Sequence, residues 1–256
     1  MSLPIFLLSD FGDSDTYVGQ MKSVLVEATG GSSRMIDLTH RICSGEVEEA
    51  AFHVSRCLPH LPPRSVLLAV VDPGVGTDRR AICCRCGGRL MVGPDNGLFG
   101  WVSLDGAAEL PSAEKSSSST FHGRDLFAPS AARLAIEPEW FDRLREIPLT
   151  ELVRLERSMP RRSEETVEAS VAHVDGFGNV VLWLESEDVK GLRIRAVRLP
   201  NGGRKTVRRV ETYGLETEDL LLLQGSQGLM ELALSGDSAA RTTELTRGDR
   251  LVLLLG

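Results

Sequence analysis

No stretch of the 256 residues approaches the ~18 consecutive apolar positions that suggest a membrane-spanning helix. The opening segment MSLPIFLLSD has no basic region and reaches Asp10 too soon for a signal peptide. It reads as a first strand, and cytoplasmic residence without a membrane partner is the expectation. Positive charge is also short: 29 Lys and Arg face 36 Asp and Glu, a net charge of −7. That balance argues against nucleic acid as the main partner, because phosphate binding needs a basic face. The basic runs at residues 160–162 and 204–209 are short and read as solvated loop or hairpin surface. Metal signatures are missing as well. Three of the five cysteines sit in Ile82-Cys83-Cys84-Arg85-Cys86, but no second CxxC or nearby HxxxH completes a zinc set. Free thiols and no bound metal are expected. The P-loop pattern GxxxxGK[ST] is absent, as are GxGxxG at a strand-to-helix junction and the GxSxG elbow that carries the serine of a Ser-His-Asp triad.

What is present begins with an ordinary globular composition, 42% hydrophobic and 25% charged, in a chain long enough to bury a core without staples. Its first part alternates strand and helix. An apolar run at residues 4–9 precedes a polar loop. A helix then shows apolar residues at Val18, Met21, Leu25 and Ala28 and is stopped by Gly30-Gly31. Residues 33–38 form a second strand, and Val47, Ala50, Ala51, Val54 and Leu58 mark a second amphipathic helix. Glu46, Glu48 and Glu49 suit the positive end of that helix. Residues 65–71 are nearly all apolar, as in a strand buried on both faces. This succession predicts an α/β domain with a mainly parallel sheet covered by helices. After the turn Gly93-Pro94-Asp95-Asn96-Gly97 the pattern weakens; residues 116–119 read as a loop and 125–135 as a helix that tolerates Pro129 near its start.

From about residue 166 the texture changes to short alternating runs split by DGFGN and PNGG, the pattern of a small all-β sandwich or barrel. Two domains follow from this, residues 1–160 and 161–256.

In an open parallel sheet, ligands bind beyond the carboxyl ends of the strands. Two apolar runs end directly on a carboxylate, Ser9-Asp10 and Val71-Asp72, on the same sheet edge. A carboxylate there can accept both hydroxyls of a vicinal diol such as ribose. The DFGDSD run carries three acids and admits a metal-dependent phosphoesterase reading. An EF-hand is excluded, since the position that needs Glu is Met21. Gly74 and Gly76 suit a backbone passing close to a ligand. His122, in TFHGRD, lies between a polar loop and a helix start, where side chains reach clefts.

Taken in order, SDFGDSDTYVGQMK, DLTH, DPGVGTDRR, PDNGL and TFHGRDLFAPSAA, with DGFGN and GSQGLMELA later, resemble the S-adenosyl-L-methionine hydroxide adenosyltransferase family. Its relatives include the fluorinase and chlorinase that use the same substrate. The resemblance spans essentially the whole chain. It implies an N-terminal α/β domain, a smaller β-barrel-like C-terminal domain, and a homotrimer with active sites at subunit interfaces. It also implies attack of water-derived hydroxide on the ribose 5′ carbon, giving adenosine and methionine without metal or cofactor. The hydroxide-delivering set falls on Asp72, Arg79 and His122, and the ribose carboxylate on Asp10. Asp15 and Asp175 match acids near the methionine amino group, Phe177 and Asn179 the adenine-contacting pair, and Ser226 a residue near the methionine carboxylate, with Glu231 a weaker addition.

Departures lie at Gly45, where the fluorinase has a tryptophan, and at Gly225 and Gln227. The halogenases carry a tyrosine where Asp72 stands, and a carboxylate there repels halide. An Asp beside an Arg is held acidic by ~1–3 units, so Asp72 and Arg79 are expected to orient the water while His122 takes up or relays the proton. A non-catalytic sensor of adenosine or S-adenosylmethionine needs neither Arg79 nor His122, and a halogenase does not suit Asp72.

Overall fold

The computed structural model describes residues 2–111 and 120–256; the stretch 116–119 lies outside them. Two units divide the chain, Met1–Leu155 and Glu156–Gly256.

In the first unit, β1 (Ile5–Ser9) is buried throughout. It leads to α1 (Tyr17–Thr29), which ends where Gly30 turns left-handed at φ 58°. Next come β2 (Met35–Thr39) and α2 (Val47–Cys57), the latter with Glu48 and Glu49 in its first turn. The run read as doubly buried is β3 (Val66–Val70). Its side chains alternate between two cores, Val66, Leu68 and Val70 on one face and Leu67 and Ala69 on the other. β4 (Ala81–Cys86), β5 (Arg89–Pro94), β6 (Gly106–Glu109), α3 (Ala128–Ile136) and β7 (Arg145–Glu146) complete the unit. A π-helical turn, Gly123–Phe127, occupies the start of the helix expected at 125–135.

The sheet order is β2-β1-β3-β5-β4-β6-β7. Here the sequence reading needs correction, because the sheet is mixed rather than mainly parallel. β2, β1, β3 and β5 run parallel, whereas β4 is antiparallel to β5 and β6, and β7 to β6. Only Gly87 and Gly88 connect β4 to β5, both at positive φ. A parallel pair needs a crossover of a dozen or more residues, so this connection enforces a hairpin. The cysteines follow that strand's alternation, Cys83 joining one core and Cys84 and Cys86 the other. None of the five forms a disulfide, and burial pushes the Cys57 thiol up to about 11.

Gly93 in β5 has no room for a side chain. An added Cβ would collide with the Ala69 carbonyl oxygen and stand 3.0 Å from the Phe99 ring. Overpacking of this kind costs about 1–3 kcal/mol, so Gly93→Ala should lower the urea midpoint at unchanged slope. An unaltered midpoint would mean that the sheet relaxes around the methyl group.

The second unit contains β8 (Arg161–Arg162), β9 (Thr166–Val174), β10 (Val180–Glu185), β11 (Ile194–Arg198), β12 (Arg204–Arg209), β13 (Leu220–Gln224), β14 (Leu229–Ala233), α4 (Ala239–Thr243) and β15 (Arg250–Leu255). The order β10-β14-β13-β12-β11-β15-β9 closes on itself because β9 also pairs with β10. The result is a closed β-barrel, with β8 appended to β9. Its core is almost wholly aliphatic, including Val171, Leu182, Val197, Leu222, Leu232 and Leu253.

Candidate active site

Parallel pairing of β1 with β3 sets Ser9 opposite Val70. Asp10 and Asp72 therefore leave neighbouring strands at the same edge, as the sequence indicated. Asp10 Oδ2 accepts the Gly45 N–H at 2.8 Å. Gly45 reaches it at φ 74°, a conformation that side-chain-bearing residues rarely adopt, which accounts for glycine at this position. Burial first, and then the charge of Asp72, raise the Asp10 carboxyl above its ordinary value of 3.8; the Gly45 N–H and the residue's own N–H oppose them.

The turn after Asp72 folds back through Val75 N–H to the Asp72 carbonyl and Thr77 N–H to that of Gly74. This brings Arg79 across the carboxylate it follows. Arg79 Nε lies 3.0 Å from both Asp72 oxygens, and Nη2 lies 2.5 Å from Oδ2. A Cβ on Gly74 would stand 3.2 Å from Arg79 Cγ, so a small residue suits the crossing. The two side chains are 11% and 6% exposed. Phe127 lies against the guanidinium, its ring centre 5.0 Å from Cζ.

The same Nη2 lies 2.8 Å from His122 Nδ1. A guanidinium has no acceptor, so Nδ1 must accept and a neutral imidazole must carry its proton on Nε2. Burial, then the Arg79 charge, lower the His122 pKa below 6.5, while Asp72 and Asp125 pull the other way. Asp72, Arg79 and His122 thus form one continuous hydrogen-bonded chain. The adjacent Arg80 does something else. Its Nε bonds Asp95 at 2.8 Å and its Nη2 the Glu151 carbonyl, and Asp95 also accepts the Val153 N–H at 3.0 Å. Arg80 ties the Pro-Asp-Asn-Gly turn to the segment that ends this unit.

The acids of DFGDSD separate. Asp10 takes the Gly45 N–H, Asp13 pairs at the surface with Arg41, and Asp15 is exposed just before α1.

The remaining residues named from the sequence lie in the second unit. Asp175, Phe177, Asn179, Ser226 and Glu231 all line one pocket of about 700 Å³. Asp175 Oδ1 accepts the Phe177 and Asn179 N–H groups at 2.9 Å, and Oδ2 the Asn179 side-chain amide at 3.0 Å. Asp175 therefore shapes the DGFGN loop, which holds Phe177 outward at 85% exposure. A large ring left this bare is a surface for stacking.

Tyr213, which the sequence reading did not single out, also lines the pocket and donates its hydroxyl to Glu231 Oε1. Burial and Glu231 push the Tyr213 pKa up to about 12. Burial chiefly, with Asp175, raises the Glu231 carboxyl, against the pull of Tyr213. Gly225 is explained by the same group, since a Cβ there would overlap the Glu231 carboxylate. Tyr213 sits in a segment with no periodicity, ETYGLETED, so no pattern marks it.

Residues 5–142 match the family model described as SAM hydroxide adenosyltransferase N-terminal domain, and residues 169–252 the corresponding C-terminal domain. The chain is similar to the (R)-S-adenosyl-L-methionine hydrolase of Salinispora tropica, 38% identical with 98% of each chain covered. It is equally similar to the protein of that name from Thermus thermophilus, 38% identical over 98% of this chain and 99% of the other. A solved structure of an uncharacterized conserved protein from Thermotoga maritima superposes with a TM-score of 0.90 at 29% identity, covering 98% of this chain and 99% of that one.

Proposed function

This chain belongs to the SAM hydroxide adenosyltransferase family, and from that premise we propose that it hydrolyses S-adenosyl-L-methionine to adenosine and L-methionine, with Asp72, Arg79 and His122 holding the attacking water. The observation that carries the reading is the half-buried chain of hydrogen bonds through those three side chains.

The water oxygen forms a bond to the ribose 5′ carbon as the carbon–sulfur bond breaks. The bonding pair stays on sulfur, so the sulfonium departs as a neutral thioether and needs no general acid. One proton is released. Arg79 occupies the lone pair of His122 Nδ1, and the neutral ring already carries a proton on Nε2. His122 therefore acts as a donor that orients the nucleophile, in place of the acceptor suggested by its unperturbed pKa. Asp72 keeps lone pairs beyond those that Arg79 uses, and it accepts the proton of the attacking water before passing it to solvent. Nothing in these steps calls for a metal or an organic cofactor.

Asp10 accepts the ribose hydroxyls, and Phe177 and Asn179 take the adenine. Asp15, Asp175 and Glu231 attract the substrate ammonium, with Ser226 near its carboxylate. The groups for water and ribose belong to one unit and the adenine pair to the other. The assembly proposed for this chain, from the family resemblance, is a homotrimer with active sites at subunit interfaces.

A halide in place of the water would meet the Asp72 carboxylate at short range, which disfavours the halogenase alternative. A mere sensor would leave the cost of enclosing the Asp72–Arg79 pair unexplained.

Chromatography of the products formed by chelator-treated protein tests the reading. Adenosine and methionine are expected, indifferent to chelator and to chloride; a 5′-halogenated nucleoside or untouched substrate would overturn it. The same assay against pH adds a second check. The His122 pKa is lowered, so the Arg79 contact is complete above 6.5 and is lost as pH falls through the lowered value, when Nδ1 becomes protonated. The rate should hold down to pH 6.5 and fall only below it. An acid limb centred above 6.5 would assign that limb to another group.

A further inference from the structure

We propose that His40 is a positioning residue for Asp10; the inference rests on the reading of Asp10 as the acceptor of the ribose hydroxyls. His40 ends the DLTH stretch, to which the chemistry above gives no task. β2 runs parallel to β1 in register from Ile5↔Met35 to Leu7↔Asp37, and then slips so that Leu8 faces Thr39. Without the slip, the residue beside His40 would be Asp10. With it, the neighbour is Ser9, and a local irregularity of this kind re-aims a side chain.

Ser9 is fully buried and immediately precedes Asp10. Its Oγ lies 2.7 Å from His40 Nδ1 and 3.4 Å from the Phe11 N–H. The His40 carbonyl accepts the Gly12 N–H at 2.7 Å. His40 thus grips the chain on both sides of Asp10, through a side chain before it and a backbone donor after it. Further along the same loop, Gly45 delivers its N–H to the Asp10 carboxylate.

On the far side of the ring, His40 Nε2 lies 3.1 Å from Asp37 Oδ1 without hydrogen-bond alignment, and Asp37 Oδ2 takes Lys22 Nζ of α1 at 2.6 Å. One proton arrangement satisfies the inner part: Phe11 N–H to Ser9 Oγ, the Ser9 hydroxyl to Nδ1, and the ring proton on Nε2 toward Asp37. The imidazole side chain is 9% exposed. Its removal leaves the Ser9 hydroxyl buried without its acceptor and releases the loop that aims Asp10. A diol contact is equally strong in bound substrate and transition state, so its loss appears in KM rather than kcat.

Calorimetric binding of adenosine and 2′,3′-dideoxyadenosine, alongside steady-state kinetics, tests this. His40→Ala should weaken adenosine about tenfold, leave the dideoxy compound unchanged, and raise KM by a similar factor with kcat altered by less than about threefold. His40→Asn, whose amide reaches the Nδ1 position, should recover most of the loss; His40→Gln, which reaches the Nε2 position, should not. Where His40→Ala fails to fold, Ser9→Ala removes the same bond from its other end and should show the same selective loss of adenosine. Parallel loss of both nucleosides, equal rescue by Gln and Asn, or wild-type selectivity in His40→Ala and Ser9→Ala would overturn the inference. Wild-type protein that binds adenosine no better than its dideoxy analogue would overturn Asp10's assignment and the inference with it. Absence of hydrolysis by a wild-type protein that still discriminates the two nucleosides would instead strike the proposed reaction alone.

Discussion

Asp72→Asn should lower kcat for S-adenosyl-L-methionine by about 10²–10⁴-fold, the range for losing a positioned proton acceptor, with little change in KM. The amide is close in size to the carboxylate, so the nucleophile's place is kept, but the charge and one acceptor atom are lost. Asparagine must also turn its oxygen toward Arg79, whose Nε and Nη2 now share one acceptor where they had two. That leaves an amide N–H₂ to face the water, a donor where the reaction needs an acceptor. The Arg79 side chain is only 11% exposed. Breaking a buried pair from one side costs about 3–5 kcal/mol, and because the amide oxygen keeps part of the contact the loss should lie toward the lower end. Kinetics well below the melting temperature separate the two effects. If folded Asp72→Asn turned over within about tenfold of wild type, below the usual range for proton transfer, Asp72 would not be the acceptor.

The legibility of this site from sequence was uneven for physical reasons. Asp10 and Asp72 could be read because each directly follows an apolar run, and strand ends in a layered sheet share an edge. Which of two adjacent arginines faces Asp72 followed from the family resemblance and not from any local pattern. Arg79 and Arg80 differ only in how the turn directs them, one to Asp72 and His122, the other to Asp95. The link between Arg79 and His122 crosses 43 positions and reverses the hydrogen-bonding role suggested by histidine's ordinary pKa. Tyr213 and the space that Gly225 gives to Glu231 are properties of a folded pocket and leave no local pattern.

The fold shows the same division. Period and apolar runs exposed the strands and helices from β1 to β3, but strand direction depends on connection length. The two-glycine link between β4 and β5 therefore overrode the expectation of a mainly parallel sheet. In the second unit, alternation revealed strands but could not distinguish a sandwich from a barrel. Closure depends on β9, which pairs with β15 along residues 166–170 and with β10 along residues 171–174.

Asp10→Asn should move binding and stability in opposite directions. In the wild type, burial and the nearby Asp72 raise the Asp10 carboxyl. A carboxyl raised in the folded state favours folding most when it is protonated, and that contribution is lost as pH rises through the raised value. At neutral pH the ionised group therefore opposes folding, held in place for its hydroxyl contacts. The amide removes the charge but can still accept the Gly45 N–H through its oxygen, so the melting midpoint should rise. Hydrogen bonds to a charged group are worth about 1.5–3 kcal/mol each; with the charge gone and one of the two acceptor atoms turned into a donor, KM should rise by about 10²-fold. Because the contact is made equally before and during reaction, kcat should change far less. In wild-type enzyme the same weakening should develop as pH falls through the raised Asp10 value, with KM climbing, while Asp10→Asn shows no such climb. A variant less stable than wild type at neutral pH would mean that the carboxylate's contacts outweigh its burial. Unchanged KM would place the ribose elsewhere on the sheet edge.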